Sequence, residues 1–181
     1  KLMIFMKVRI ADIAKQNLED IPSPCRNCIY WEFPELFSRV SCSEAFNHKK
    51  NWFIKALNSF GVCGKILYAD SIPVAYAQFA PYHMLPQTRS YSNYQAEDDV
   101  IFLSCLFICK AEYRRIGLGS KLLKNIISDL KIRGFSRIET FARRGSANNP
   151  SGPLEFYLKH DFKIKEELDQ DFILVALDLK K

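Results

Sequence analysis

No apolar run in this sequence approaches the roughly 18 residues that a membrane-spanning helix requires, and the opening KLMIFM is shorter than the core of a signal peptide. Neither a membrane partner nor secretion is expected. Blocks of five or more like charges, internal repeats, low-complexity tracts and linkers are all missing, so the chain reads as one domain over residues 1–181. Six cysteines (Cys25, Cys28, Cys42, Cys63, Cys105 and Cys109) fall short of the density of a disulfide-built scaffold. Reduced thiols and a cytoplasmic location are the expectation. The net charge of +6 over 181 residues suits an anionic ligand but is too dilute to mark a nucleic-acid partner. What is present, 48% hydrophobic and 25% charged residues, suffices for a sizeable core and argues against a disordered chain.

Along the chain, KVRI (7–10) alternates as a short strand, and the ADIAKQNLED that follows has helical spacing. IPSPCRNCIYWEFPELF is a loop too apolar to stand free. Ser41 to Glu44 forms a capping box at the head of an amphipathic helix that stops at Gly61. CGKILYAD and IPVAYAQFA read as a hairpin turning at Asp70 and Ser71. A long tyrosine-rich loop (82–99) then leads into VIFLSCLFIC (100–109), whose continuous apolar character is that of a strand buried on both faces. GSKLLKNIISDLKIRG carries Leu122, Leu123, Ile126, Ile127 and Leu130 on one stripe and ends at Gly134. The strand SRIETFA, a short helix in SGPLEFYLKH and the strands FKIKEEL and DFILVALDL close the chain. The order β-α-α-β-β-β-α-β-α-β-β predicts an α/β fold, a mixed sheet with helices on its faces.

The chemistry concentrates where the buried strand feeds the striped helix through EYRRIGLGS (112–120). A strand-to-helix turn exposes the first amides of the helix, and glycines let an anion approach them, which favours phosphate or pyrophosphate. A phosphate-binding P-loop is excluded, because Gly119, Ser120 and Lys121 lack the earlier glycine that motif requires. A dinucleotide fingerprint is met in part: Leu122 stands at its third glycine, while Glu139 lies at the distance of a ribose-binding acid. Too few elements remain downstream for a doubly wound fold.

Arg114, Gly117 and Gly119 meet a third pattern, Arg/Gln-x-x-Gly-x-Gly/Ala. Here AEYRRIGLGSKLL resembles the coenzyme A pyrophosphate loop of the GNAT superfamily of N-acetyltransferases, with Ala111 in place of a proline. LEFYLKHDF (154–162) is similar to the family's later helix-turn segment, with Asp161 where a glycine is usual; a positive φ comes less readily to Asp than to Gly. The resemblance runs from Val100 to Phe162. It implies a single-domain GNAT fold, a mixed and mostly antiparallel sheet of about six or seven strands flanked by about four helices. Residues 100–162 would form the acetyl-CoA-binding core and the N-terminal half the acceptor side.

The same resemblance implies the site. Backbone amides of Ile116, Gly117, Leu118, Gly119 and Ser120 would hold the pyrophosphate with help from the helix dipole, and Arg114 and Arg115 would screen it. Phe107, Ile108 and Cys109 would offer a free strand edge to the pantetheine arm, and an amide there would polarise the acetyl carbonyl. Tyr157 matches the family's proton-donating tyrosine. Acetyl-CoA is the expected cosubstrate, no metal is expected, the acceptor is an amine on a small molecule or peptide, and a homodimer is compatible with the sequence.

Acetyl transfer needs a neutral amine and a proton for the departing thiolate. Glu97, Asp98 and Asp99 are candidates to take the amine's proton, with a solvated loop cluster as the alternative. Cys105 and Cys109 on the central strand invite a covalent scheme, but no histidine is close in sequence, and direct transfer is preferred. The stretch 29–37, with Tyr82, His83, Tyr91 and Tyr94, is expected to line an aromatic acceptor pocket or simply to pack. Cys25 and Cys28 form a lone C-x-x-C, with Cys42 and His48 as irregular further zinc ligands. Two alternatives therefore stand beside the enzyme: a non-catalytic CoA-binding regulatory domain, and a zinc-stabilised interaction module using Cys25 and Cys28.

Overall fold

A computed structural model describes residues 6–93, 96–145, 152–169 and 171–180. Seven strands form one sheet: β1 (Val8–Asp12), β2 (Gly64–Ala69), β3 (Ile72–Pro81), β4 (Val100–Ile108), β5 (Arg137–Arg143), β6 (Lys163–Glu167) and β7 (Phe172–Asp178). Their spatial order is β1-β2-β3-β4-β5-β7-β6. Every neighbouring pair is antiparallel except β4 with β5, which suits the expected mixed sheet. The described α-helices are α1 (Cys42–Ser59), α2 (Leu118–Ile132) and α3 (Leu154–Leu158). The expected first helix is a 3-10 segment, Lys15–Asp20, because only Leu18 of its residues is buried and a second apolar turn is lacking.

Helix boundaries follow local chemistry. Ser41 Oγ accepts from the Glu44 amide and the Glu44 carboxylate accepts from the Ser41 amide, the reciprocal cap legible in the sequence. Gly61 and Gly134, at φ +98° and +84°, let the chain reverse after α1 and α2. Asp161 does adopt a left-handed conformation, φ +65°, so the turn after α3 forms without glycine. The β2–β3 hairpin turns through Asp70 and Ser71, both at positive φ.

Two apolar layers cover the sheet. One packs Leu122, Leu123, Ile126 and Leu130 of α2, with Tyr157 and Phe162, against Leu103 and Leu106. The other packs Trp52, Phe53 and Ala56 of α1 and the N-terminal loop against Phe102 and Cys105. A bulge in β4 sets which residues face which layer: Gln78 pairs with Cys105 but Phe79 with Leu103, leaving Ser104 as the extra residue, its hydroxyl donating to the Gln78 carbonyl at 3.1 Å. The alternation flips there, so Ile101, Leu103, Leu106 and Ile108 lie toward α2, and Phe102, Cys105, Phe107 and Cys109 toward α1.

Leu122 is wholly buried between α2 and the sheet. Leu122→Ala is expected to lower the unfolding free energy by about 2–5 kcal/mol in urea titration; a loss below about 1 kcal/mol would contradict this packing.

Candidate active site

Parallel pairing of β4 with β5 covers only Val100 to Phe102 opposite Arg137 to Glu139. Beyond it the Thr140 hydroxyl donates to the Leu103 carbonyl at 2.8 Å, and the two strands continue with other partners, β4 with β3 and β5 with β7. The splay leaves a cleft of about 300 Å³. Phe107, Ile108, Arg114, Arg115, Gly117, Gly119, Ser120 and Tyr157, all expected from the sequence, line it together. Three other expected residues lie beside it: Ile116 is exposed on the loop, Leu118 packs into the core, and Cys109 turns toward the α1 side. Leu106, Gly152, Pro153 and Phe156 complete the wall; of these only the Gly152–Pro153 step before α3 carried a turn signal.

The loop that closes the cleft is built for close approach. Arg115 and Gly117, two residues apart, are both left-handed, at φ +61° and +88°, and left-handed positions alternating with others curl backbone amides around an anion. Lys121 is the first residue whose amide bonds back, to the Gly117 carbonyl at 3.1 Å, so the amides of Leu118, Gly119 and Ser120 have no acceptor within α2. Arg114 donates from Nε to the Ile108 carbonyl at 3.0 Å and lies over the Phe107 ring, tying the loop to the end of β4. A Cβ on Gly119 would sit 3.6 Å from the Phe156 ring and 3.8 Å from Leu106, both cleft walls, so a side chain there would fill the space a ligand needs. Ser120 Oγ is 2.9 Å from His160 Nε2, which holds the turn after α3 against the start of α2.

Tyr157 is buried, yet its ring borders the cleft. Gly152 leaves room for it: a Cβ there would come within 3.3 Å of the phenol oxygen. Burial raises its pKa, against a smaller opposing pull from Thr140, so the phenol keeps its proton at neutral pH.

A second cavity, about 580 Å³, lies on the α1 side of β4, and Phe107 belongs to both walls. Of the expected aromatic residues, Tyr30, Trp31, Phe37 and Tyr91 line it. Tyr82 and His83 line a separate hollow with Glu97 and Asp98, and Tyr94 lies outside the described residues. The acidic run therefore sits at the start of β4, whereas the glycine loop follows its end, roughly 25–30 Å away for a nine-residue strand. Asp99 pairs with Lys180 at 2.9 Å. Glu139 is buried with Arg137 and Lys165 on its carboxylate, at 2.8 and 2.7 Å, and is spent on that network.

Cys25, Cys28 and Cys105 also line this second cavity, and Cys25 Sγ is 3.7 Å from Cys109 Sγ. Hydrogen bonds from the Cys105 and Cys109 thiols hold the Cys25 pKa low in spite of burial. The irregular zinc set is not assembled: among the described residues no group of three or more His, Cys, Asp or Glu side chains could hold a metal ion. Sequence reading missed the buried pair beneath the thiols. Lys49, on the apolar face of α1, lies 2.8 Å from Glu32 Oε1 and also donates to the Cys28 carbonyl; Gln78 Nε2 donates to Glu32 at 2.9 Å. A lysine on an otherwise apolar helix face was the available signal.

Residues 25–162 match the sequence model described as "Acetyltransferase (GNAT) family". The chain belongs to that family. It is an acetyl-CoA-dependent N-acetyltransferase with the GNAT fold. Similar solved structures include the PaiA N-acetyltransferase of Thermoplasma acidophilum in complex with coenzyme A (16% identity, 96% of this chain and 99% of that one, TM-score 0.61). The ribosomal-protein-S18-alanine N-acetyltransferase of Escherichia coli is another (15%, 97% and 96%, 0.58). A third is Naa50 of Arabidopsis thaliana in complex with the bisubstrate analogue CoA-Ac-MVNAL (16%, 94% and 97%, 0.55). No curated protein matches the sequence. Among the described residues no helix is long and apolar enough to cross a membrane.

Burial is the largest influence on Lys49 and pulls its pKa down, but the charge and hydrogen bond of Glu32, together with the Cys28 and Cys25 sulfurs, outweigh it and the net shift is upward. A raised pKa means that Lys49's own contribution is fully present below its unfolded value near 10.4 and is lost as pH rises through the folded value. At pH 7, Glu32→Gln is expected to cost about 3–5 kcal/mol by stranding Lys49, with much of the loss recovered when both residues become Met. Denaturant titration of the three proteins checks this; an unchanged midpoint for Glu32→Gln would contradict the pairing.

Proposed function

We propose that the chain, acting as one N-acetyltransferase domain, moves the acetyl group of acetyl-CoA directly to a primary amine while both substrates are bound. The observation that carries this reading is the cleft at the β4–β5 splay, where the end of β4, unpaired with β5 past Phe102, meets the glycine loop and the Tyr157 phenol, and where Phe107 also lines a second cavity. Acetyl-CoA supplies an acetyl group activated as a thioester. The amides at Ile116 to Ser120 bind its pyrophosphate at the α2 N-terminus, with Arg114 and Arg115 adding positive charge. The edge of β4 at Phe107 and Ile108 aligns the pantetheine arm, the Cys109 amide being held instead by the Val74 carbonyl of β3 at 2.8 Å, and residues 100–162 form the cofactor core.

On the other side of Phe107 the apolar walls disfavour an ammonium, so the acceptor enters as the neutral amine that attack requires. As the C–N bond forms and the C–S bond breaks, Tyr157 Oη, which stays protonated, gives its proton to the departing sulfur, and the proton shed by the acylated nitrogen restores the phenol through solvent. No cysteine needs to carry the acetyl group in this scheme, because the two cavities already adjoin.

Tyr157→Phe removes the hydroxyl and keeps the ring. Turnover is expected to fall about 10²-fold or more with little change in acetyl-CoA affinity, measured as thiol release. Normal turnover in a folded Tyr157→Phe protein would assign proton delivery elsewhere.

A further inference from the structure

The second cavity shares Phe107 with the cleft proposed for acetyl-CoA, and its walls are distinctive in both shape and charge. Trp31, Tyr91 and Phe172 stand in a packed series, with ring centroids 5.9 Å apart for Trp31–Tyr91 and 5.2 Å for Tyr91–Phe172. Tyr30 locks against Trp31 at 5.2 Å and hydrogen-bonds the Tyr91 hydroxyl, so the rings are positioned before any ligand arrives. Preset rings favour a flat aromatic guest through offset or edge contacts.

The charges point the same way. Among the described residues no Asp or Glu lines this cavity; its charged lining residues are Lys49 and Arg143. Lys49 is committed to Glu32 and the Cys28 carbonyl. Arg143, at the end of β5, keeps a 38% exposed side chain whose Nη2 is 3.6 Å from Asp171, itself 60% exposed. An exposed contact of that length is weak and screened, so a carboxylate entering the cavity competes for the guanidinium and can take it as a two-pronged partner. A second ammonium would meet apolar walls and a like charge, with no lining carboxylate to receive it. A volume of about 580 Å³ suits one aromatic molecule and is small for several residues of peptide.

We infer that the acceptor is a small aromatic amine bearing its own carboxylate, such as an aromatic α-amino acid, with its ring among Trp31, Tyr91 and Phe172, its acid on Arg143 and its amine toward Phe107. This rests on the proposed direct transfer across Phe107. Polyamines and lysine side chains are excluded by the same walls. Arg143 is thus a specificity residue that touches the acceptor and takes no part in proton transfer.

The test is acetylation of a panel by the full chain with acetyl-CoA. Phenylalanine, tyrosine and tryptophan are compared with phenethylamine, tyramine and tryptamine, which keep ring and amine but lack the acid, and with spermidine and Nα-protected lysine. At least one amino acid is expected to exceed its decarboxylated counterpart by tenfold or more in kcat/KM, with spermidine and lysine at background. Arg143→Gln should cost that amino acid tenfold or more and its counterpart less than twofold, and Arg143→Lys should restore part of the loss. A preference for spermidine or lysine, equal use of the paired compounds by the unaltered protein, or equal losses on both in Arg143→Gln would overturn the inference. A rise in melting temperature with coenzyme A, measured beside the panel, separates the failures. Coenzyme A binding with no panel member acetylated overturns the acceptor class alone, whereas no binding at millimolar coenzyme A overturns the transfer reading with it.

Discussion

Parallel pairing between β4 and β5 stops after three residues, at Phe102 and Glu139, and the rest of the site is arranged around that interruption. A buried strand edge that loses its neighbour must satisfy its backbone groups some other way. One carbonyl, that of Leu103, is taken by the Thr140 hydroxyl. Past it the gap is bordered by α3 through Phe156 and Tyr157 and by the first turn of α2. An extended ligand with amides of its own and an anionic end suits such a gap: strand edge along its length, unpaired helix amides at its mouth.

The Ser104 bulge gives the same strand a second role. Without the extra residue, the odd positions of β4 would face α2 throughout, and Cys105, Phe107 and Cys109 would lie on the α2 side. With it they face the N-terminal half, and Phe107 becomes a wall common to both cavities. Lys49 and Glu32 then secure the segment opposite: a charged pair under the Cys25–Cys28 loop ties α1, that loop and Gln78 of β3 into one unit. Removing either partner strands the other in an apolar setting, so the pair must be kept or replaced whole for the packed rings of this wall to hold their place.

Much of this was legible in the chain because the signals were local. The α2 stripe, the Ser41 capping box, the Asp70–Ser71 turn and the Arg114–Gly119 loop each announce themselves within a few residues, and the order of elements then pointed to the fold. Signals that depend on distant partners were silent. A serine inside an apolar strand gives no warning of a bulge, since the missing pairing belongs to β3. Glu97 to Asp99 read as neighbours of the chemistry because they precede the central strand, yet a strand carries its two ends far apart. Glu139 sat at a suggestive spacing but is held by Arg137, its neighbour two residues away on β5, and by Lys165, which reaches it only once β7 and β6 are laid down beyond β5. The 3-10 segment Lys15–Asp20 has helix-like spacing too brief to sustain an α-helix.

The central claim is that one splayed notch, closed by one loop, receives acetyl-CoA and presents it to the cavity beyond Phe107. Amide-resolved NMR during titration with coenzyme A tests it most directly, because it reads the backbone groups themselves. The largest shifts are expected at Leu106 to Ile108 and Ile116 to Ser120, with smaller ones at Phe156 and Tyr157 and little change at Glu97 to Asp99. Shifts concentrated at the acidic end of β4, or in the separate groove lined by Lys124 and Lys131 of α2 and Lys163 and Lys165 of β6, would contradict it.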